Sequence, residues 1–374
     1  MEVFVKPVAN RKELKTFIHL PAEIHKNHKF WIPPIYMDEW EFFNPKKNHF
    51  FEHCDTVLAL AWRNGKAVGR IMGVISYKYN QDHNENHGRF SFMETWNDQE
   101  VFHALIDFVS NWSRSQGMVK LVGPLAFSDK DPQGFLIDGY EEIPAIASNC
   151  NYPYMVDLVE KEGFEKKYDL VTYKFTVNQE LPEFYLKISE RAVKNNVDLK
   201  VLEFTSRKKV RPYIHPALRL LNRTFNHIYG FNPLSDKEMD DFANRYLYLI
   251  NPRFIKIAVN RNNEVIAFII GMSDISRGIQ KSKGHLFPFG IFHILRAGKK
   301  SKLLTLMLIA IDPEYQNRGL NVQMALKMIE SAKAAQKSHI DTHLELEYNT
   351  KVRGEMEKLG AVIHKKFRIY QKDL

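Results

Sequence analysis

The sequence predicts an α/β protein with a mixed sheet, built as two tandem domains by internal duplication. Two observations carry this: the chain repeats itself, and each copy shows the same order of strand and helix signals. Residues 11–19, RKELKTFIH, match 207–215, RKKVRPYIH. NGKAVGRIMG at 64–73 matches NNEVIAFIIG at 262–271, and EKEG at 160–163 matches EKLG at 357–360. Three matches in one order, at nearly constant separation, mark two halves, 1–178 and 179–374, each of ordinary domain size.

Each half opens on a short strand, 3–7 or 199–204, and enters a helical segment. A hairpin follows, 57–62 with 67–76 or 255–259 with 265–272. Its turn carries Arg-Asn-Gly or Arg-Asn-Asn, which tolerate positive φ. Next a strand leads into a helix, 89–94 into 98–115 and 304–311 into 320–336. Val322, Ala325, Leu326, Ile329 and Ala332 fall at helical spacing, so one face of that helix is expected in the core. A further strand, 119–122 or 342–346, precedes a short helix ending at the shared EK-x-G and then a last strand. Gly163 and Gly360 stand where a left-handed helix cap is expected.

Composition narrows the function classes. Hydrophobic residues at 44% and charged residues at 26% are ordinary for a globular protein. The net charge is +9, but the basic residues are scattered and follow no nucleic-acid motif, so a solvated surface is expected and no nucleic-acid partner. The N-terminus has no signal-peptide core, and the apolar stretch 286–295 is far short of the ~20 residues of a membrane span. Two cysteines, Cys54 and Cys150, point to a reducing cytoplasm. His49 with His53 and His83 with His87 are lone pairs, and no metal site is expected. P-loop, dinucleotide-fold and serine-hydrolase signatures are absent. Two insertions distinguish the halves, 125–144 and 277–302. Long loops of this kind serve as substrate covers or interdomain packing, while the lysine-rimmed apolar segment in the second also suits a surface-lying amphipathic element.

The junction 308–332, LIAIDPEYQNRGLNVQMALKMIESA, combines a strand, a polar turn and a helix start. A helix N-terminus offers amide donors and partial positive charge to a phosphate. Gln316, Asn317, Arg318, Gly319, Leu320 and Asn321 form a glycine-containing, basic turn with no carboxylate up to Lys327. The sister turn at 95–100 lacks glycine and carries Asp98 and Glu100; there Asn97 and Glu100 are expected to cap their own helix. Only the second half suits a polyphosphate.

Ile309, Ile311, Pro313, Tyr315, Gln316 and Gly319 resemble the acyl-CoA-binding motif of the GNAT N-acetyltransferase superfamily. Residues 349–361, NTKVRGEMEKLGA, resemble its segment after the following strand. The whole chain resembles tandem-GNAT proteins of similar length, without an assigned substrate. The resemblance implies acetyl-CoA or another acyl-CoA as cofactor and a small-molecule amine or peptide as acceptor. It implies that backbone of Ile309, Ala310 and Ile311 meets the acyl group and pantetheine arm, that 316–321 cradles the pyrophosphate, and that Asn349 lies beside the arm. Met356 stands where the superfamily often has a tyrosine acid, and Asn321 replaces a second small residue. The first half then becomes a degenerate partner. Strand alternation puts Asp341, His343, Glu345 and Glu347 on one face, with Glu345 and Glu347 as candidate base or substrate anchor and a solvated face as the alternative reading. A non-catalytic CoA-binding protein and an aminoacyl-tRNA-dependent transferase of the peptidoglycan type are the competing functions.

Overall fold

The computed structural model describes residues 2–226, 228–247 and 249–374. Fourteen strands are present among them. They are β1 (Phe4–Pro7), β2 (Cys54–Arg63), β3 (Lys66–Ser76), β4 (His87–Thr95), β5 (Lys120–Gly123), β6 (Phe135–Asp138) and β7 (Glu165–Thr176). Then come β8 (Lys200–Glu203), β9 (Ile255–Val259), β10 (Val265–Ser273), β11 (Leu303–Ile311), β12 (His339–Thr342), β13 (Glu345–Leu346) and β14 (Val362–Asp373). Contacts gather the chain into two compact units. One comprises Met1–Val171, Ser276–Ile294 and Lys365–Leu374; the other comprises Thr172–Ile275 and Leu295–His364. This grouping departs from the contiguous halves 1–178 and 179–374, because strands are grouped by their pairing and not by chain order.

Within the first unit the strand order is β1-β2-β3-β4-β5-β14, with β6 on β14. The β4–β5 pair is parallel, and the others are antiparallel. The second unit repeats the pattern as β8-β9-β10-β11-β12-β7, with the parallel pair at β11–β12. Each of these strand runs thus ends on a strand from the other sequence half. The duplication is visible even in irregularities. One extra residue bulges β4 against β3, and one bulges β11 against β10. Gly163 and Gly360 both adopt positive φ just past their helices, as the shared EK-x-G predicts.

The helix Gln99–Ser115 buries Phe102, Leu105, Ile106 and Val109 against Ile71 and Phe90. In the second unit, the helix Ile214–Phe225 buries Leu218 and Leu221 against Ile257 and Phe268. The helix Leu320–Ala334 departs from the expected one-sided stripe: Met324, Met328 and Ser331 are buried with Val322, Ile329 and Ala332, while Ala325 and Leu326 are half-buried. Packing on more than one side explains this, since the helix also meets the helix Glu183–Asn195. Buried Lys256 on β9 is satisfied by Glu203 Oε1 at 2.7 Å, Ser331 Oγ at 2.7 Å and the Arg253 carbonyl at 3.0 Å. That network pins the helix to the sheet edge and compensates the buried charge.

Candidate functional site

The second unit's parallel ladder is short. β11 pairs β12 from Leu303–His339 to Leu306–Thr342, and the His343 N–H closes it on the Leu306 carbonyl at 2.9 Å. Beyond that point, from Leu308 to Ile311, the ladder partner of β11 among the described residues is β10 alone. Ile309, Ala310 and Ile311 therefore present one backbone edge without a neighbouring strand. Backbone groups on that edge, the Gln316-bonded carbonyl of Ile311 apart, can pair with a ligand.

This open edge runs into the polar turn. Asn317 and Gly319 both adopt left-handed backbone, at φ +61° and +73°. Gly319 is the N-cap of the helix Leu320–Ala334 and provides no capping side chain; its carbonyl accepts from the Gln323 N–H at 3.1 Å. A Cβ at Gly319 would lie 2.9 Å from Ala192 Cβ, so glycine is required by packing as well as by φ. Gln316, Asn317 and Arg318 are exposed and Leu320 is buried. The Arg318 guanidinium lies 5.0 Å from the centre of the Tyr315 ring, and the Arg318 carbonyl accepts from Asn196 Nδ2 at 3.0 Å. The Gln316 side-chain amide donates back to the Ile311 carbonyl at 3.3 Å, which makes it a brace of the turn.

A carboxylate enters this site from elsewhere in the chain. Asn321 Nδ2 donates to Glu355 Oε2 at 2.8 Å, and Lys358 Nζ meets Glu355 Oε1 at 3.0 Å. The carboxylate-free turn read from the sequence is thus flanked by a charge from the helix Thr350–Lys358, partly balanced by Lys358.

The alternating strand expected at 342–346 is broken. It becomes β12, two residues at 343–344 that belong to no strand, and the two-residue β13. Asp341, His343, Glu345 and Glu347 consequently do not share one strand face. Asp341 is buried and meets His364 Nε2 at 2.7 Å, and Glu347 lies in the turn after β13. The Glu347 carbonyl accepts from Arg353 Nη1 at 2.8 Å. Glu345 is half-buried, and desolvation alone pushes its carboxyl up to about 8. Asn349 caps the helix Thr350–Lys358 by accepting from the Val352 N–H at 3.4 Å. Met356 is half-buried on that helix. One turn away, Arg353 Nε donates to the buried Tyr173 hydroxyl at 3.0 Å, which in turn donates to Glu357 at 3.2 Å. Sequence reading had no signal for this triad, because Tyr173 sits 180 residues upstream of Arg353.

The first unit's equivalent features are filled in. Leu125 N–H donates to the Phe90 carbonyl at 2.8 Å, and Arg89 donates to the carbonyls of Ala126 and Phe127. The helix Gln99–Ser115 is capped by Asp98, which accepts from Val101 N–H at 3.2 Å; this replaces the expected Asn97 cap. Arg63 pairs with both Asp98 and Glu100. Among the described residues no cluster of His, Cys, Asp or Glu suits a metal ion. One arrangement went unread in the sequence. His25 joins Glu94 through Nε2 at 3.0 Å and His28 through Nδ1 at 3.0 Å, stacked with Trp31 and Tyr152.

The architecture is that of the tandem GNAT proteins. A tandem GNAT protein from the clavulanic acid biosynthesis pathway matches with a TM-score of 0.56 at 10% identity, over 100% of this chain and 98% of its own. A GCN5-related N-acetyltransferase from Sphaerobacter thermophilus matches at 0.52 and 9%, over 99% and 95%. In sequence the chain is similar to a bacterial ceramide synthase of Caulobacter vibrioides (strain NA1000 / CB15N), 27% identical over 380 residues, 100% of this chain and 98% of that protein. It is likewise 27% identical over 376 residues to protein YghO of Escherichia coli (strain K12), covering 99% and 95%. No family model matches the chain. Among the described residues no helix is long and apolar enough to cross a membrane.

Proposed function

We propose that the chain is an acyl-CoA-dependent N-acyltransferase acting through its second unit, with the first copy of the duplication retained without a cofactor site. The observation that carries this reading is the open edge of β11 leading directly to a helix start with no side-chain cap. Backbone of Ile309, Ala310 and Ile311 would pair with an amide-bearing arm. The amides of 317–321, with Arg318, would hold a pyrophosphate. Bound acyl-CoA supplies an activated carbonyl. Glu345, whose carboxyl is raised to about 8, takes the proton from the acceptor's ammonium directly or through one water, a task suited to a base near neutral pH. Glu347 anchors the acceptor and Asn349 orients the arm. Met356 offers no proton, so protonation of the leaving sulfur falls to water.

Similarity to a protein named ceramide synthase favours a fatty acyl group and a long-chain amino alcohol over acetyl transfer to a peptide. Isothermal titration with acetyl-CoA and palmitoyl-CoA, followed by mass spectrometry of amide formed on sphinganine, tests both levels. Absence of heat with either thioester at ~1 mM, the upper end of ordinary KM values, would sink the reading. Binding without amide formation across a broad amine panel would assign a CoA-binding role.

A further inference from the structure

The insertion read as 277–302 folds into two helices, Ser276–Lys281 and Gly290–Lys300, joined by a short loop. Its base is held firmly within the first unit. Gln280 Nε2 donates to the carbonyls of Lys29 and Trp31 at 2.9 and 3.1 Å, and Ser276 Oγ donates to the Pro144 carbonyl at 3.3 Å. The Gly284 carbonyl accepts from the Tyr36 N–H at 3.0 Å, so closely packed that a Cβ on Gly284 would lie 2.2 Å from the Pro34 carbonyl oxygen. From this fixed base the loop and helix expose Phe287 at 75%, Phe289 at 68% and Phe292 at 64%.

Three phenylalanines exposed on an anchored element are not ordinary scatter of apolar surface. The helix is two-faced. Ile294 is buried, whereas Phe292, Leu295, Arg296 and Lys299, spaced i, i+3, i+4 and i+7, are all exposed. Charge along this stretch of chain has one sign. Between Asp274 and Asp312 there is no acidic residue, against Arg277, Lys281, Lys283, Arg296, Lys299, Lys300 and Lys302. All seven are exposed. Aromatic side chains beside a basic rim match the two layers of a lipid surface, acyl boundary and anionic headgroup.

We infer that 276–300 is an interfacial element that docks on a bilayer carrying anionic headgroups, with Phe287, Phe289 and Phe292 inserted and the basic residues at headgroup level. The insertion is apolar and rigid, and the attraction is electrostatic and screened by salt. The inference rests on this element alone and stands whether or not the second unit transfers acyl groups.

Sedimentation of the full chain with vesicles tests it, using phosphatidylcholine alone and phosphatidylcholine with about 30% phosphatidylglycerol, which gives the surface a negative potential. Binding is expected to the mixed vesicles and to weaken with salt. The triple variant Phe287→Ser/Phe289→Ser/Phe292→Ser should lose about tenfold or more of the affinity. Lys281→Glu/Lys283→Glu should weaken anionic-vesicle binding at least fivefold per position while leaving any weak binding to neutral vesicles unchanged. Circular dichroism checks that each variant folds, and the lysine variant keeps the test alive if the triple variant does not. No binding of the wild type to mixed vesicles, or undiminished binding of both variants, overturns the inference. So does self-association that the triple variant abolishes without vesicle binding, which would make the patch a contact between copies.

Discussion

Asn321 and Glu355 are joined side chain to side chain at 2.8 Å at the start of the helix Leu320–Ala334. A helix start whose own sequence is free of carboxylates therefore carries one, contributed by the helix Thr350–Lys358. A negative charge there opposes the binding of a second anion.

Two substitutions should move cofactor affinity in opposite directions. Glu355→Gln keeps the hydrogen bond and removes the charge, and CoA is expected to bind about two- to fivefold more tightly. Arg318→Glu places an anion on the exposed turn and should weaken binding by about tenfold or more. Titration calorimetry at low salt reads both. Equal affinity in all three proteins would remove the turn from the binding site.

Gly319 and Gly354 make a matched pair for stability. Gly319→Ala forces a Cβ at φ +73° against Ala192, and should cost about 1–3 kcal/mol. Gly354 lies inside a helix with open space around it, so Gly354→Ala should stabilise by up to about 1 kcal/mol. Urea denaturation of the two variants gives opposite shifts in midpoint if the backbone reading holds.

Glu345 predicts opposite pH trends for stability and rate. Its carboxyl is raised from 4.5 to about 8 by desolvation, so the folded state keeps a proton that the unfolded state has released. The group's stabilising contribution is present below about 4.5 and is lost as pH rises to about 8. A base must be ionised, so kcat/KM should climb through that same region and level off above it. Glu345→Gln should lower kcat by about 10²–10⁴-fold and abolish the climb. A pH–rate profile unchanged in that variant would exclude Glu345 as the base.

His28 gives the reverse sign in the first unit. Burial, then the nearby His25, lowers its pKa from 6.5 to about 4. The unfolded chain binds a proton below 6.5 that the folded chain resists until about 4. Stability from this group is therefore full above 6.5 and falls as pH drops toward 4. His28→Gln should flatten that part of the acid-denaturation curve. An unaltered curve would mean another group controls the acid limb.

Much of the fold could be read in the chain because the signals were local or repeated. The hairpins, the strand into Leu320–Ala334 and the EK-x-G caps each appear twice, and each copy checks the other. The turn 316–321 was legible because its glycine and its lack of carboxylates are properties of consecutive residues. Glu345 and Glu347 were read from alternation, and that reading failed locally. β12 ends at Thr342, and a two-residue break separates it from β13.

The sequence by itself determined a duplicated α/β chain, the glycine-containing, carboxylate-free turn of the second copy and the acidic turn of the first, since all three follow from neighbouring residues and their spacing. Only the tertiary structure decided which strand ends each run of the duplicated order. It also decided that Glu355 reaches Asn321, that Arg353 holds Tyr173, and that Glu94, His25 and His28 line up. These partners lie far apart in the chain, and hydrogen bonding in a packed interior is set by distance in space, which no local pattern of residues encodes.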